Sequence, residues 1–399
     1  MKVFRGFNHP GIAPACALTI GNFDGVHRGH QAMLALLCSE AQQRGVPSCV
    51  LTFEPHPRDY FARANHKPEL APARIGTLRD KLMDLARCDI DQAVVVPFNT
   101  RLAAQPPQAF IDDVLVGGLG AKYILVGDDF RFGAKRAGDY AMLDAAGDVR
   151  TDGSGFTVAR MDSYEMSNPH ARHTVFSLPP EGASVAAGLA GGTGRKLRVS
   201  SSAVRDALAD GRMADAARLL GRPYRISGHV VHGRKLGRVL GFPTLNLRFS
   251  HWKPAASGIF VVRMYGLGKN DSDAPLQGVA NLGVRPSLDP DDVNGGRVLL
   301  ETHCLDWPTS LGADDGYGKI VGVELLHKLH GELKYDGLEA LTTGIAKDRD
   351  DARAWFASNT ATQTVAMQAV PPQAVTMQSV PAQSVSMQPA QAQPIQARL

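Results

Sequence analysis

Cysteine is scarce in this chain. Only five occur in 399 residues: Cys16, Cys38, Cys49, Cys88 and Cys304. They are widely spaced, odd in number and contain no Cys-x-x-Cys pair. That excludes a disulfide framework and reads as reduced cytosolic thiols, with Cys16, Cys38 and Cys49 as small core residues. Charge of one sign is also lacking. The formal net charge is +4, too small at this length for a general nucleic-acid role. No apolar stretch reaches the roughly 18 residues of a membrane span. Met1 to Gly11 has no apolar secretory core. No Gly-Lys-Ser/Thr occurs in a glycine-rich loop, so a P-loop is excluded. The expectation is a soluble cytoplasmic protein with no nucleic-acid or membrane partner and with its oligomeric state open.

What the chain does have is ample apolar content, 44%, and a length that suggests two or three domains. The first half alternates strand and helix signals. Strands are expected at Ala15–Ile20, Ser48–Phe53, Gln92–Pro97, Lys122–Gly127 and Phe156–Met161. Helices are expected at Gln31–Arg44, Leu78–Arg87 and Pro107–Val116. Short apolar strands spaced by amphipathic helices imply an α/β domain with a parallel sheet covered on both faces. Ligands in such sheets bind beyond the carboxyl ends of the strands. The Gly/Ala/Ser-rich stretch 178–195 reads as a flexible insertion. One helix is expected at Ala203–Leu220. After Pro223 come short runs at Ile226–Val231, Thr244–Phe249, Ile259–Tyr265, Gly278–Leu282, Val298–His303 and Ile320–Leu326. They predict an all-β domain, a small closed barrel, with a last helix at Leu338–Phe356 packed on it. The expected domains are 1–198, a helical connection 199–222, a barrel domain 223–358 and a tail 359–399. In the tail Val-x-Met-Gln recurs at Val365, Val375 and Val385, and its composition predicts disorder.

The most informative segment is Gly21-Asn22-Phe23-Asp24-Gly25-Val26-His27-Arg28-Gly29-His30. It joins a buried strand to a helix. His27 and His30, three apart, share one helical face. A helix N-terminus offers unpaired N–H groups and partial positive charge to a phosphate, and imidazoles add donors as charge develops. Taken alone the segment is also a tight turn with two exposed histidines; the flanking strand and helix favour phosphate handling.

Thr52-Phe53-Glu54-Pro55-His56-Pro57-Arg58 and Gly127-Asp128-Asp129-Phe130-Arg131-Phe132-Gly133 follow the second and fourth expected strands. Each places an aromatic and a polar residue at the same sheet edge, either to stack on a planar ring or to close the core. Ser200-Ser201-Ser202-Ala203-Val204-Arg205 sets hydroxyls and helix N–H groups beside an Arg clamp, a second phosphate geometry or an ordinary cap.

In the second half, Gly228 to Arg238 is glycine-punctuated and basic, suited to wrapping phosphates with backbone N–H groups. Thr244 and Asn246, in Gly241-Phe242-Pro243-Thr244-Leu245-Asn246, share a strand face. Their neutral oxygens suit Mg²⁺ bridging to substrate phosphates. Glu301 lies inside Leu299-Leu300-Glu301-Thr302-His303, either facing solvent or placed to accept the proton of an attacking hydroxyl.

These segments, in this order, resemble the bifunctional bacterial riboflavin kinase/FAD synthetase family over most of Leu18–Phe356. Gly21–His30, Thr52–Pro57 and Gly127–Gly133 are similar to its N-terminal adenylyltransferase module, a Rossmann-like nucleotidyltransferase with a His-x-Gly-His signature. Gly241–Asn246, Gly278–Pro286, Glu301–Trp307 and Tyr317-Gly318 are similar to its C-terminal flavokinase module. The resemblance implies phosphorylation of riboflavin by ATP and Mg²⁺, then adenylylation of FMN by a second ATP with release of pyrophosphate. It implies Glu301 as kinase base, Thr244 and Asn246 at the Mg²⁺ and nucleotide, and Gly233 and Gly237 in the same ATP site. It implies Gly21, Asn22, Phe23, Asp24, Gly25, His27, His30, Asp129, Ser201, Ser202 and Arg205 at the other ATP, with Arg205 on the leaving pyrophosphate. Phe53, His56, Pro57, Phe130 and Arg285 are implied at the flavin. Three features depart from the family pattern: Ser202 where Thr is usual, His330 where Arg is common, and the insertion near 178–195. Two other readings stand beside this one: a transferase acting on another phosphate, and a non-catalytic flavin- or nucleotide-binding regulator.

Overall fold

The structure is a computed structural model that describes residues 1–148, 155–167, 196–233, 237, 240–249, 253–267, 274–284, 298–309, 311–312 and 314–359. The insertion near 178–195, the tail from 360 and Arg285 lie outside the described residues.

The N-terminal half is a six-stranded sheet of β1 (Lys2–Arg5), β2 (Cys16–Ile20), β3 (Ser48–Glu54), β4 (Gln92–Pro97), β5 (Ala121–Gly127) and β6 (Thr157–Met161), in the order β1-β4-β3-β2-β5-β6. Every pairing is parallel. The central strands are buried along their length, which is why they read as continuous apolar runs rather than alternating ones. Leu34, Leu37 and Ala41 of helix α1 (Arg28–Arg44) and Leu85 of α3 (Leu78–Ala86) cover one face. Phe110, Ile111, Val114, Leu115 and Leu143 cover the other. From β2 the chain proceeds to β3 and β4 on one side, then to β5 and β6 on the other. The β2/β5 boundary is therefore the switch point, where a crevice opens beyond the strand ends. Several features were not expected from the sequence, among them helix α4 (Tyr140–Asp148) and the antiparallel pair β7 (Glu165–Ser167) and β8 (Lys196–Arg198). Strand β1, with Phe4 as its one buried residue, adds to the sheet edge. Helix α2 (Pro57–Ala64) starts at Pro57, with His56 as its cap.

The expected helix Ala203–Leu220 is two helices, α5 (Ser201–Ala209) and α6 (Met213–Leu220). The break falls at Gly211, whose φ is +73° and where an added Cβ would meet the Lys328 chain at 2.5 Å. Both helices bury their apolar faces in one cluster with the interior of the barrel. Its strands are β9 (Tyr224–Val231), β10 (Thr244–Arg248), β11 (Gly258–Tyr265), β12 (Leu276–Val284), β13 (Val298–Cys304) and β14 (Ile320–His330). The barrel is closed, in the order β10-β13-β12-β11-β14-β9, all antiparallel. Leu245, Leu247, Phe260, Val262, Ala280, Leu282 and Leu300 fill the interior. The last helix, α7 (Leu338–Asn359), seats Ala352 and Phe356 on Val261 and Val279 of the outer wall.

Candidate active sites

The loops leaving β2, β3, β4 and β5 all emerge at the carboxyl edge of the sheet. Between β2 and α1 the backbone turns through left-handed conformations at Phe23 (φ +48°), Gly25 (φ +85°) and Val26 (φ +39°). Gly25 cannot carry a Cβ, which would lie 2.9 Å from Ile75. His27 caps α1, and its Nδ1 accepts the His30 backbone N–H at 3.3 Å. The proton of a neutral His27 therefore sits on Nε2, leaving that atom a donor. The His27 and His30 rings stack at 3.7 Å and 15°. Phe23 packs on His30 at 4.9 Å, and His30 Nδ1 is buried without a partner. Burial pushes the His27 imidazolium down to about 4, against the pull of Asp24. Burial, with repulsion from His27 and Lys81, holds His30 well below its usual value. Both rings are thus neutral donors at pH 7.

His56 repeats the arrangement: Nδ1 accepts the Arg58 N–H at 3.1 Å, and burial, with Arg74 nearby, lowers its value to about 3. At 3% exposure it offers no open ring face for stacking. Behind these histidines lies a buried charge cluster absent from the sequence reading. Arg74, 1% exposed, pairs with Asp59 at 3.1 Å, Glu54 at 3.7 Å and Asp24 at 3.8 Å. Lys81 donates to Thr52 Oγ1 at 3.3 Å, and burial lowers its ammonium to about 8. Asp24 accepts from Arg205 at 2.7 Å, and Ser201 Oγ donates to the Asp24 carbonyl at 2.9 Å. Burial opposes the Asp24 charge, but Arg74 and Arg205 together hold its carboxyl below the usual range. Asp24 is therefore an anchor for Arg205 and Ser201 beneath the turn. Ser202 stays exposed in the first turn of α5. Gly21 lies against the Phe23 ring, and Asn22 Oδ1 is buried without a partner.

Three neutral histidines, His27 and His56 buried and His30 half-buried, have a consequence for stability. The unfolded chain protonates them near 6.5, whereas folded His27 waits until about 4 and His56 until about 3. Unfolded chains thus bind more protons below pH 6.5, and stability falls as pH drops from 6.5 toward 4. The expected loss is on the order of 3 kcal/mol for His27 alone. Thermal melts at pH 7.5, 6, 5 and 4.5 measure it, and His27→Gln should flatten the profile.

Around the same edge, Phe53, Tyr60, Phe61 and Phe98 form an aromatic cluster with centroid separations of 5.3–5.8 Å. Phe61 is 47% exposed, a large apolar face left in solvent. Tyr60, Phe61 and Phe98 were not singled out from the sequence. Phe130 stacks on Phe132 at 5.5 Å and is half-buried. Asp129, at the exit from β5, has a side chain 84% exposed and lies 4.0 Å from Arg198.

The second site is on the outer wall of the barrel. Asn246 on β10 pairs with Glu301 on β13, and Glu301 pairs with Asn281 on β12. Directly paired residues share a face, so the three side chains form one row. The row continues through Ile259 to His330. Thr244, His303 and Val279 form the parallel row beside it. Between these rows and α7 lies a cavity of about 260 Å³. Ile259, Val279, Leu333, Leu341 and Ile345 supply an apolar side; Thr244, Asn246, Asn281 and Glu301 supply a polar one. The Oδ1 atoms of Asn246 and Asn281 are buried without partners, as expected of groups that await a ligand. Asn281 was missed from the sequence. Gly233 lets the preceding loop touch Asn246, where a Cβ would sit 2.5 Å from Nδ2, and Gly237 likewise abuts the Phe242 carbonyl. Among the described residues no group of three or more His, Cys, Asp or Glu is placed to hold a metal.

His330, the departure noted above, clasps α7 to the barrel. Its Nε2 bonds Asp348 at 2.7 Å and its Nδ1 bonds the Gly331 carbonyl at 2.6 Å. Partial burial opposes its charge, but those bonds and the Asp348 carboxylate outweigh it and raise its value above 6.5. The clasp's contribution is complete below pH 6.5 and is lost as pH rises through the higher folded value. His330→Ala should loosen α7 and raise KM for the barrel's substrate several-fold, with the sheet-edge reaction unchanged in steady-state assays.

A parallel sheet whose switch point carries paired histidines on a helix N-terminus defines a nucleotidyltransferase-type domain. The closed barrel, with its carboxylate and orphaned amides, defines a separate small-molecule site. Comparison with known proteins makes the assignment particular. Residues 10–174 match the family profile described as FAD synthetase, and residues 220–356 match that described as riboflavin kinase. The chain is 41% identical over 358 residues to the bifunctional riboflavin kinase/FMN adenylyltransferase of Escherichia coli (strain K12), covering 89% of this chain and 98% of that one. It is 38% identical over 359 residues to the corresponding Haemophilus influenzae enzyme, covering 90% and 100%. Identity to the Pseudomonas fluorescens enzyme is 40% over 360 residues, covering 90% and 98%. A solved structure titled a macrolide-efflux protein from Streptococcus pneumoniae shares the fold, with TM-score 0.63 at 23% identity, covering 89% of this chain and 100% of that one. The chain belongs to the bifunctional riboflavin kinase/FMN adenylyltransferase family.

Proposed function

We propose that the two sites divide two consecutive reactions. The protein phosphorylates riboflavin to FMN and adenylylates FMN to FAD. The first step belongs to the barrel cavity. The riboflavin 5′-hydroxyl attacks the γ-phosphorus of ATP, Glu301 accepts the hydroxyl proton, and ADP leaves. The apolar wall of the cavity suits the flavin ring, and the polar row suits the ribityl chain and phosphates. Mg²⁺ accompanies the nucleotide. Thr244 and Asn246 would hold it, their neutral oxygens complementing phosphate ligands, and it would supply positive charge beside the transferring group.

The second step belongs to the sheet edge. An FMN phosphate oxygen attacks the α-phosphorus of ATP, the bond to the bridging oxygen breaks, and pyrophosphate leaves. His27 and His30 donate to the phosphates, and Arg205, aligned by Asp24, faces the departing charge. The exposed aromatic cluster around Phe61 receives the flavin ring, a role wider than that of Phe53 and Phe130. Both steps work by positioning and charge stabilisation. We place them in the cytoplasm.

The observation that carries this reading is the row Asn246–Glu301–Asn281, because its orphaned amides need a polar ligand beside a carboxylate. Riboflavin, ATP and Mg²⁺ incubated with the protein should give FMN and then FAD on chromatography. Absence of both products would sink it.

A further inference from the structure

Val26 is β-branched, fully buried and held at φ +39°, a conformation such residues avoid. A strained residue persists where its surroundings over-determine it, and here the strain adjoins His27. Two side chains from outside the turn seize its backbone. Gln31 Nε2 donates to the Val26 carbonyl at 2.8 Å and to the Leu220 carbonyl at 2.7 Å. Arg222 donates to the Gly25 carbonyl at 2.9 Å, the Val26 carbonyl at 3.4 Å and the Leu220 carbonyl at 3.1 Å. A fourth donor, on the same nitrogen that serves Gly25, engages Asp84 of α3. The arrangement is close-packed: Gly221 ends α6 at φ +75°, and a Cβ there would lie 3.1 Å from Gln31. Arg222 lies two residues before the first barrel strand.

We infer that Arg222 and Gln31 are positioning residues for adenylyl transfer. They lock the carbonyls of Gly25 and Val26, so that the cap residue His27 enters α1 with its Nε2–H aimed at nucleotide phosphate. The inference rests on the reading of this turn as the ATP site. The junction between the two halves of the chain thereby holds the nucleotide turn in place. Lysine cannot replace Arg222, since a single ammonium cannot serve three carbonyls and a carboxylate from a planar fork.

The test uses the full chain and measures both reactions separately. Arg222→Ala should lower kcat for FAD formation from supplied FMN at least tenfold. KM for ATP should change less, and FMN formation from riboflavin should stay within twofold. Added guanidinium ion should restore part of the lost rate, and Arg222→Lys should remain impaired. Gln31→Ala should show the same pattern more weakly, and it carries the test if Arg222→Ala fails to fold. FAD formation within twofold of wild type in the folded variant would overturn the inference. So would an equal fall in both activities, full rescue by lysine, or no response to guanidinium. Wild-type protein that makes FMN but no FAD would instead remove the reading of the turn on which the inference rests.

Discussion

Glu301→Gln should reduce FMN formation by about 10²–10⁴-fold while FAD synthesis from supplied FMN continues at the wild-type rate. The substitution keeps the volume and hydrogen-bonding reach of the side chain but removes its capacity to accept a proton. Glu301 stands between Asn246 and Asn281 in one row, at the polar side of the barrel cavity. Its position, in the middle strand of a three-strand patch, is fixed by backbone pairing on both sides, so the variant should leave the wall intact. The loss should fall on kcat, with riboflavin still bound by the apolar side. A fall in riboflavin affinity with kcat unchanged would assign Glu301 to binding and leave the proton acceptor elsewhere. Asn281→Ala makes a useful companion. It removes one orphaned amide without touching Glu301, and it should raise KM more than it lowers kcat.

Glu301 was readable in the sequence and Asn281 was not, for a physical reason. Glu301 is a charge inside an apolar β-run, an anomaly visible locally. Asn281 becomes informative only when β12 pairs with β13, because its neighbour across the sheet is twenty residues away in the chain. The same contrast holds at the other site. His27 and His30 lie in one strand–turn–helix unit, so their stacking follows from local periodicity. Tyr60, Phe61 and Phe98 come from two separate segments and meet only through the parallel packing of β3 and β4. Arg74 and Lys81 were passed over because charge predicts exposure; their burial is a product of tertiary neutralisation by Asp24, Glu54 and Asp59. The barrel strands were all legible because each is a short run rich in apolar residues, separated from the next by Gly, Pro, Asn or Asp. The four-residue β1 was not, having one buried side chain. The division of 201–220 into two helices follows from Gly211, a signal present in the sequence that the long apolar periodicity outweighed.

His30→Ala should stop the sequence of reactions at FMN. The expected loss in FAD synthesis is about 10²–10³-fold, the range for removing one donor aimed at developing charge. His30 is a neutral ring whose Nδ1 has no protein partner, stacked at 3.7 Å on a second neutral ring. The two imidazoles act as a unit because each ring is the surface on which the other is stacked, while the His30 backbone N–H that orients His27 Nδ1 remains in the variant. The double variant His27→Ala/His30→Ala should therefore lose little more than the worse single one, as groups that act together are not additive. The pH profile separates this account from one in which imidazolium charge binds the phosphates. With His27 titrating at about 4, kcat/KM for ATP should show no inflection near 6.5 that disappears in His27→Gln. An inflection there, lost with His27, would mean that the ring is charged in the working enzyme and that the burial around Phe23 and Val26 is relieved before ATP arrives.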